Sequence, residues 1–212
     1  METRASETSV YSFTWLDPDK EVYVLQNRKY RKVHKLHISA GYGMTTSGAF
    51  VTSSAVQGRL GFFALEDWGA EFVYSKNNGK ENETALAVRH NGSSGAGAIP
   101  FRRIVDNYMG GLLQWSPFYA KINTFNKVVY MDWILGAGYA KLQETNNRLY
   151  VRTPSDPGNH ETTEDHNGPM WGTAFKFYLT EYFYVRLDLT GIHYRAQRAT
   201  ADSNVSDQTW YS

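Results

Sequence analysis

The chain has no cysteine and no excess of either charge. None of its 212 residues is cysteine, which excludes disulfides, thiolate metal sites and cysteine nucleophiles. The formal net charge is +1, and Lys and Arg are scattered along the sequence rather than clustered. A basic patch of the kind that binds nucleic acid is therefore not indicated, and we expect no nucleic-acid partner.

Long hydrophobic runs are also missing. A transmembrane helix needs ~18 or more consecutive apolar residues, and no segment approaches that length. Residues 1–7 lack the basic and apolar regions of a signal peptide. The mean hydropathy of −0.51 suits a soluble protein, but it is uninformative for a β-barrel, in which only every second strand residue meets lipid.

What the chain does have is alternation of side-chain character, clearest over residues 127–143. One set of alternate residues is mostly apolar, whereas the intervening set is small, polar or charged. The apolar set is Val129, Met131, Trp133, Leu135, Ala137 and Tyr139. A period of two places the two sets on opposite faces of one β-strand. Strands of ~9–11 residues with an apolar outer face and a polar inner face are typical of transmembrane β-barrels.

Seven segments show this alternation and predict seven antiparallel strands. They are 32–43, 50–62, 68–76, 107–119, 127–143, 170–179 and 182–194. Short turns around 64–67, 120–126 and 180–181 contrast with long polar links over 77–106 and 144–169. Short turns at one end and long loops at the other are typical of outer-membrane barrels. We predict an all-β, up-and-down antiparallel transmembrane β-barrel of about eight strands, spanning residues 31–212.

The two ends of the chain lie outside this pattern. Residues 1–30 are predicted to form a periplasmic N-terminal leader, in which Val10–Leu16 and Glu21–Leu25 could be short strands, a plug or a partner-binding segment. An eighth strand is predicted to start near Asp207 and to contain Trp210. Because that strand is too short to close the barrel, we expect a longer native C-terminus, or closure by Val10–Leu16 or by a partner strand. We also expect that a signal peptide has been removed.

Four segments resemble a known family. They are Val22–Tyr30, Trp115–Lys121, Tyr130–Tyr139 and Tyr184–Leu189. They resemble the outer-membrane β-barrel domain proteins of myxobacteria and Bdellovibrio-like predatory bacteria, and the resemblance covers most of residues 21–194. The incomplete C-terminal strand departs from the family's pattern. The resemblance implies a bacterial outer-membrane barrel with no established catalytic residues. Some relatives are thought to belong to envelope complexes for gliding motility.

The alternation assigns side chains to two environments. The residues predicted to face lipid are Leu113, Trp115, Trp133, Leu135, Phe175, Phe177 and Leu187. The residues predicted to form a charge network inside the barrel are Arg59, Glu71, Asp132, Lys176, Arg186 and Asp188. An eight-stranded barrel is just wide enough for side chains to fill it, and buried charges in so narrow a space must pair. We expect Arg186 to pair with Asp132 or Glu71.

A barrel filled by side chains favours a structural or interaction role in an envelope assembly. Outer-membrane lipid would be one partner. An envelope protein would be another, contacting loops 77–106 and 144–169 or the leader 2–30. The alternative is a small channel for ions or small solutes, which would require an open interior.

No enzyme activity, cofactor or metal site is predicted. His37 and His193 lie on strands without an accompanying Ser-His-Asp set. Metal-ligand side chains cluster in the second long link, at His160, Glu161, Glu164, Asp165 and His166. Their spacing matches no defined metal motif, so a solvated loop is expected. A soluble lipocalin-like barrel would hide its apolar face inside, whereas the outward set here is rich in aromatics.

Overall fold

The fold is β-rich throughout the part of the chain that the computed structural model describes, residues 28–45, 50–90, 100–124, 127–152, 161–198 and 208–212. Its strands are β1 (Lys35–Thr45), β2 (Val51–Phe63), β3 (Trp68–Glu81), β4 (Arg103–Thr124), β5 (Lys127–Asn146), β6 (Thr162–Tyr178), β7 (Tyr184–Ile192), β8 (Tyr194–Gln197) and β9 (Gln208–Tyr211). Its helices are α1 (Glu83–His90) and α2 (Arg148–Arg152). Neither helix has the length and apolar character needed to cross a bilayer.

Strands β1 to β7 form one antiparallel sheet in sequence order. The sheet curls so far that Arg59 Nη2 on β2 donates a hydrogen bond to Thr190 Oγ1 on β7, at 2.9 Å. Over the described residues no backbone ladder joins β7 back to β1, so the sheet is a half-barrel with two free edges. We call the opening between β1 and β7 the seam. The predicted all-β, antiparallel, up-and-down arrangement is confirmed at this level.

A bulge in β4 keeps aromatic side chains on the outer face. The register of β4 against β5 shifts between Trp115 and Phe118, which places the two rings on the same face although they are three residues apart. Pro117 lies within the shift, where a residue without an amide hydrogen costs no ladder hydrogen bond. Ser116 then points into the interior and is fully buried.

Several strands are longer than predicted. β3 continues to Glu81, β4 begins at Arg103, β5 continues to Asn146 and β6 begins at Thr162. The predicted loops 77–106 and 144–169 are correspondingly shorter. The extensions of β3, β5 and β6 are polar on both faces, and that of β4 has only Ile104 and Val105 as apolar residues. The apolar alternation is therefore lost there, although the backbone pairing of β4, β5 and β6 continues.

The predicted eighth strand forms, but its predicted place in the barrel wall is wrong. β9, which contains Trp210, pairs with β8 in a separate two-stranded hairpin. The chain leaves the wall at His193, whose amide donates a hydrogen bond to the Pro169 carbonyl at 2.9 Å. A Cβ on Gly168 would overlap the His193 carbonyl, so glycine permits this close approach. Tyr194 and Ala196 bury against Leu142, which explains why the hairpin turns inward.

The interior is built in alternating polar and apolar layers. Along β5 the inward side chains run from Asp132 at the turn end to Glu144 at the loop end. Between these carboxylates lie the apolar cluster of Leu142 with the β8–β9 hairpin and two further apolar clusters. The first of the two is Phe63, Ile134 and Ala174. The second is Val73, Leu112, Ala140 and Met170. A further group of charged side chains lies at the level between the two clusters, and all of these layers face the concave side of the sheet.

Candidate functional site

The outer, convex face of the half-barrel is apolar. All of the residues predicted to face lipid lie on it: Leu113, Trp115, Trp133, Leu135, Phe175, Phe177 and Leu187. Leu113 is 58% exposed and Leu187 is 62% exposed. The edge strand β1 contributes Ile38 and Tyr42, both 70% exposed. An apolar surface of this kind is far larger than a soluble monomer usually shows.

The concave face is charged, which reverses the usual arrangement. The residues predicted for the charge network all point into it: Arg59, Glu71, Asp132, Lys176, Arg186 and Asp188. Asp132 is completely buried and Lys176 is only 5% exposed. Ionised groups at such depth require partners, because taking a charge out of water without one is very unfavourable.

Glu71 is the centre of the network. Its carboxylate accepts hydrogen bonds from Arg59 at 2.7 Å and from both terminal nitrogens of Arg186. It also lies 3.1 Å from His37 Nε2, which donates to it in the tautomer that carries hydrogen on that nitrogen. Asp188 lies beside the same guanidiniums, 2.9 Å from Arg186 and 3.5 Å from Arg59. Of the two partners expected for Arg186, the structure provides Glu71; Asp132 pairs elsewhere.

Asp132 anchors a second cluster at the turn end of the interior. It lies 3.0 Å from Lys32 Nζ and accepts a hydrogen bond from the Tyr178 hydroxyl at 2.5 Å. Lys32 also donates to Ser116 Oγ at 2.6 Å. Burial lowers the pKa of Lys32, and the neighbouring Asp132 carboxylate partly opposes that shift.

Lys32 is delivered by the residues that precede β1. We call residues 28–34 the N-terminal segment. The amides of Lys32 and Val33 donate to the Glu66 carboxylate, and Tyr30 stacks on Tyr178 at 4.9 Å between ring centroids. His34 has a φ of 56°, a left-handed conformation that turns the chain into β1. The segment closes the turn end. Residues 1–27 of the predicted leader, including Val10–Leu16, lie outside the described residues.

Glu144 anchors a third cluster at the loop end. Its carboxylate accepts a hydrogen bond from Arg103 and another from the Tyr194 hydroxyl, at 2.8 Å. His166 Nε2 lies 3.2 Å away. Burial raises the pKa of Tyr194, and the adjacent Glu144 carboxylate raises it further. Tyr194 belongs to the β8–β9 hairpin, so the hairpin covers this end of the interior.

Glu144, Glu164 and His166 have ligand atoms within 4.8 Å of one another. Such a set could hold a metal ion, but Arg103 pairs with Glu144 and Arg148 lies 2.9 Å from Glu164. Both carboxylates are thus neutralised by guanidiniums, so their charge demands no metal ion.

The other members of the predicted metal-ligand cluster are dispersed. Asp165 pairs with Lys141 at 2.9 Å on the outer face, and Glu161 pairs with Arg102. His160 lies outside the described residues.

Sequence reasoning missed the residues that complete these clusters. They are Lys32, His37, Arg103, Ser116, Glu144, Tyr178 and Tyr194. His37 and Glu144 could have been found, because each shares the strand parity of inward-facing residues. The predicted first strand, 32–43, includes Lys32 on the parity of the outward-facing Leu36. β1 begins only at Lys35, and the left-handed turn at His34 breaks that parity, so the predicted direction of Lys32 was wrong.

Side chains and packed strands leave little continuous space along the interior. A cavity of about 290 Å³ lies near the loop end, beside Gln57, Tyr108 and Thr190. A separate cavity of only about 10 Å³ lies beside Leu112, Gln114 and Ile134. Comparison of the chain with protein families, with characterised proteins and with solved structures finds no match. The family resemblance seen in the sequence therefore stays a prediction.

Proposed function

We propose that this chain is a bacterial outer-membrane β-barrel with a closed interior and a structural or interaction role in an envelope assembly. The observation that carries the proposal is the reversal of the two faces: Leu113 and Leu187 are exposed, whereas Asp132 and Glu71 are buried. A soluble barrel would show the opposite pattern, since apolar side chains leave water and charged ones stay in it.

The apolar surface also has limits consistent with a bilayer. At the turn end, stacked aromatic pairs mark its border, with Trp68 on Trp115 at 6.0 Å and Phe118 on Trp133 at 5.4 Å. Aromatic girdles of this kind are typical at membrane interfaces. Towards the loop end, the exposed side chains become polar, at Lys76, Asn78, Lys80, Lys141 and Asn167.

The buried, ion-paired side chains of Arg59, Glu71 and Arg186 occupy the interior, which favours a closed barrel over the alternative, a channel for ions or small solutes. With solute passage disfavoured, the surfaces left for function are the loop-end rim and the N-terminal segment, where an envelope protein could bind. A steady conductance of the reconstituted protein in planar bilayers would support the channel instead.

Membrane insertion is tested by placing one charge at two depths. Leu113→Arg lies within the apolar surface and should destabilise the barrel in phosphatidylcholine bilayers by ~2–4 kcal/mol, because a charge at mid-bilayer loses its water. Asn167→Arg is the matched control, since its side chain faces outward beyond the apolar surface. It should cost ~0–1 kcal/mol. Denaturant titration of heat-modifiable migration measures both. Equal stabilities for the two variants would contradict the membrane assignment.

A further inference from the structure

The seam between β1 and β7 opens onto a cavity of about 430 Å³. On one side lie Ser39, Gly41 and Gly43 of β1, and on the other lie Tyr184, Arg186 and Asp188 of β7, the last of which pairs with Arg186. The cavity exists because β1 offers so little side-chain volume: a Cβ built on Gly43 would meet nothing within 4 Å. On its outer side the seam is flanked by exposed apolar side chains, Ile38 and Tyr42 of β1 and Val185 and Leu187 of β7.

The buried charged side chains behind the seam, taken over the two clusters described above, carry an excess of positive charge. Across the central and turn-end clusters, four cations face three carboxylates: Arg59, Lys176, Arg186 and Lys32 against Glu71, Asp132 and Asp188. With His37 neutral the net charge is +1. A buried excess charge of this kind favours the binding of an anion.

Lys176 is a buried cation with no carboxylate at ion-pair distance among the described residues, although Asp132 lies opposite it in the β5–β6 register. The Lys176 side chain is only 5% exposed, and its Nζ lies 4.0 Å from the ring centroid of Tyr184, which lines the cavity. It also lies directly opposite Arg186 in the β6–β7 register, and like charges placed so repel each other. The Nε atoms of Arg59 and Arg186, both buried, have no acceptor within the part of the chain that the structure describes. These groups are arranged to receive one more anion.

We propose that the seam binds a single-chain amphiphile with an anionic head group, of the alkyl phosphate class. The head group lies beside Lys176, Arg186 and Arg59, and the alkyl chain leaves between β1 and β7 to the apolar outer face. This inference rests on the membrane barrel proposed above. The geometry favours a ligand with an alkyl chain over a free anion. The cavity opens sideways onto the apolar surface, whereas the N-terminal segment closes the turn end of the interior.

A partner strand fits the seam less well. Strand addition needs the edge carbonyls of β1 free for a new ladder. The Ile38 carbonyl already accepts a hydrogen bond from the Tyr184 hydroxyl at 3.0 Å, so the Tyr184 side chain crosses the seam at that level.

The test uses the 212-residue chain reconstituted in phosphatidylcholine bilayers. A spin-labelled alkyl phosphate is the probe, and the spin-labelled alcohol of the same chain length is the neutral control. The electron paramagnetic resonance spectrum separates immobilised probe from probe moving freely in lipid. We expect the phosphate to bind about tenfold more tightly than the alcohol, because only the phosphate gains charge-assisted hydrogen bonds.

Two variants separate the head-group and chain contributions. Lys176→Met keeps the side-chain length and should reduce the preference for phosphate over alcohol to less than about twofold. Gly43→Leu fills the cavity and should weaken the binding of both the phosphate and the alcohol probe. Gly111→Leu is the matched control. It adds the same side chain on the outer face of β4, where a Cβ likewise meets nothing within 4 Å, and should leave the binding of both probes unchanged.

Each outcome decides the matter. Equal binding of both probes by the wild type, or an unchanged preference in Lys176→Met, overturns the proposal. Displacement of the probe by inorganic phosphate alone also overturns it, since the site would then take a free anion. Heat-modifiable migration is measured first: a chain that inserts but shows no preference contradicts only the seam site, whereas a chain that does not insert contradicts the barrel as well.

Discussion

The two ends of the interior are closed by the same kind of cluster, built from different parts. Asp132 and Glu144 lie on the same face of β5, and both carboxylates are completely buried. Each binds one cation and accepts a hydrogen bond from one tyrosine hydroxyl. At the turn end the barrel wall supplies the tyrosine, and the N-terminal segment supplies the cation, Lys32. At the loop end the wall supplies the cation, and the β8–β9 hairpin supplies the tyrosine, Tyr194.

The two ends differ in which group comes from outside the sheet: the cation at the turn end and the tyrosine at the loop end. They should therefore differ in stability. If the N-terminal segment is displaced, the buried Asp132 loses Lys32, its only ion-pair partner among the described residues. If the hairpin leaves, Glu144 keeps its pair with Arg103 and loses a hydrogen bond. An orphaned buried charge costs more than a lost hydrogen bond, so the turn end should be the more firmly closed of the two.

The largest effect is expected from Lys32→Met. It should lower the free energy of unfolding by ~3–5 kcal/mol, because the buried Asp132 loses its only ion-pair partner among the described residues. Lys35→Met, at an exposed position at the start of β1, is the control and should change stability by less than ~0.5 kcal/mol. Adding Asp132→Asn to Lys32→Met should recover part of the loss. Denaturant titration of the refolded protein measures all three, and equal stabilities for Lys32→Met and Lys35→Met would refute the charge argument.

Tyr194→Phe should be less damaging. It removes one hydrogen bond to a charged group, worth ~1.5–3 kcal/mol, while Arg103 continues to neutralise Glu144. Tyr211→Phe in the same hairpin keeps the ring that stacks on Tyr194 at 6.0 Å and should have little effect. The same denaturant titration applies. A loss for Tyr194→Phe as large as that for Lys32→Met would show that the two ends are equivalent after all.

Gly168→Val tests whether the hairpin depends on close approach to the wall. Its side chain would collide with the His193 carbonyl, at a cost of ~1–3 kcal/mol. Gly58→Val, where a Cβ meets nothing within 4 Å, is the matched control. If the collision displaces the hairpin, Tyr194→Phe should no longer matter in the Gly168→Val background, as a double-mutant cycle would show. Additive effects of the two substitutions would mean that the hairpin stays in place.

The smallest effect is a difference in alkaline stability. The pKa of Tyr194 is raised in the folded protein by burial and by Glu144, so folding favours the neutral phenol. Its contribution is complete below the pKa of an unfolded tyrosine, ~10, and falls as the pH rises above that value. The stability advantage of wild type over Tyr194→Phe should therefore shrink between about pH 10 and 12. A constant difference across that range would show that Tyr194 titrates normally.

Alternation predicted which face each strand residue would occupy, because the period of a strand is fixed by backbone geometry. Leu135 and Asp132 on β5 could be assigned to opposite faces from the sequence alone. The ion-pair partners could not be assigned from the sequence. Whether Arg186 meets Glu71 or Asp132 depends on how far the sheet curls to bring β7 opposite β3, which no local pattern encodes. The pairing of β9 with β8 was missed for the same reason, since it depends on burial of Tyr194 within the interior.

The long polar extensions of the strands have a consequence for any partner at the loop-end rim. Residues 141–146 of β5 continue the strand past Tyr139, a rise of roughly 15 Å at ~3.3 Å per residue and a tilt of about 40°. In the proposed orientation, the part of the protein that extends beyond the lipid head groups is a hydrogen-bonded strand and not a flexible loop. A protein that docks there would meet a preorganised surface, so little conformational entropy would be lost in ordering it.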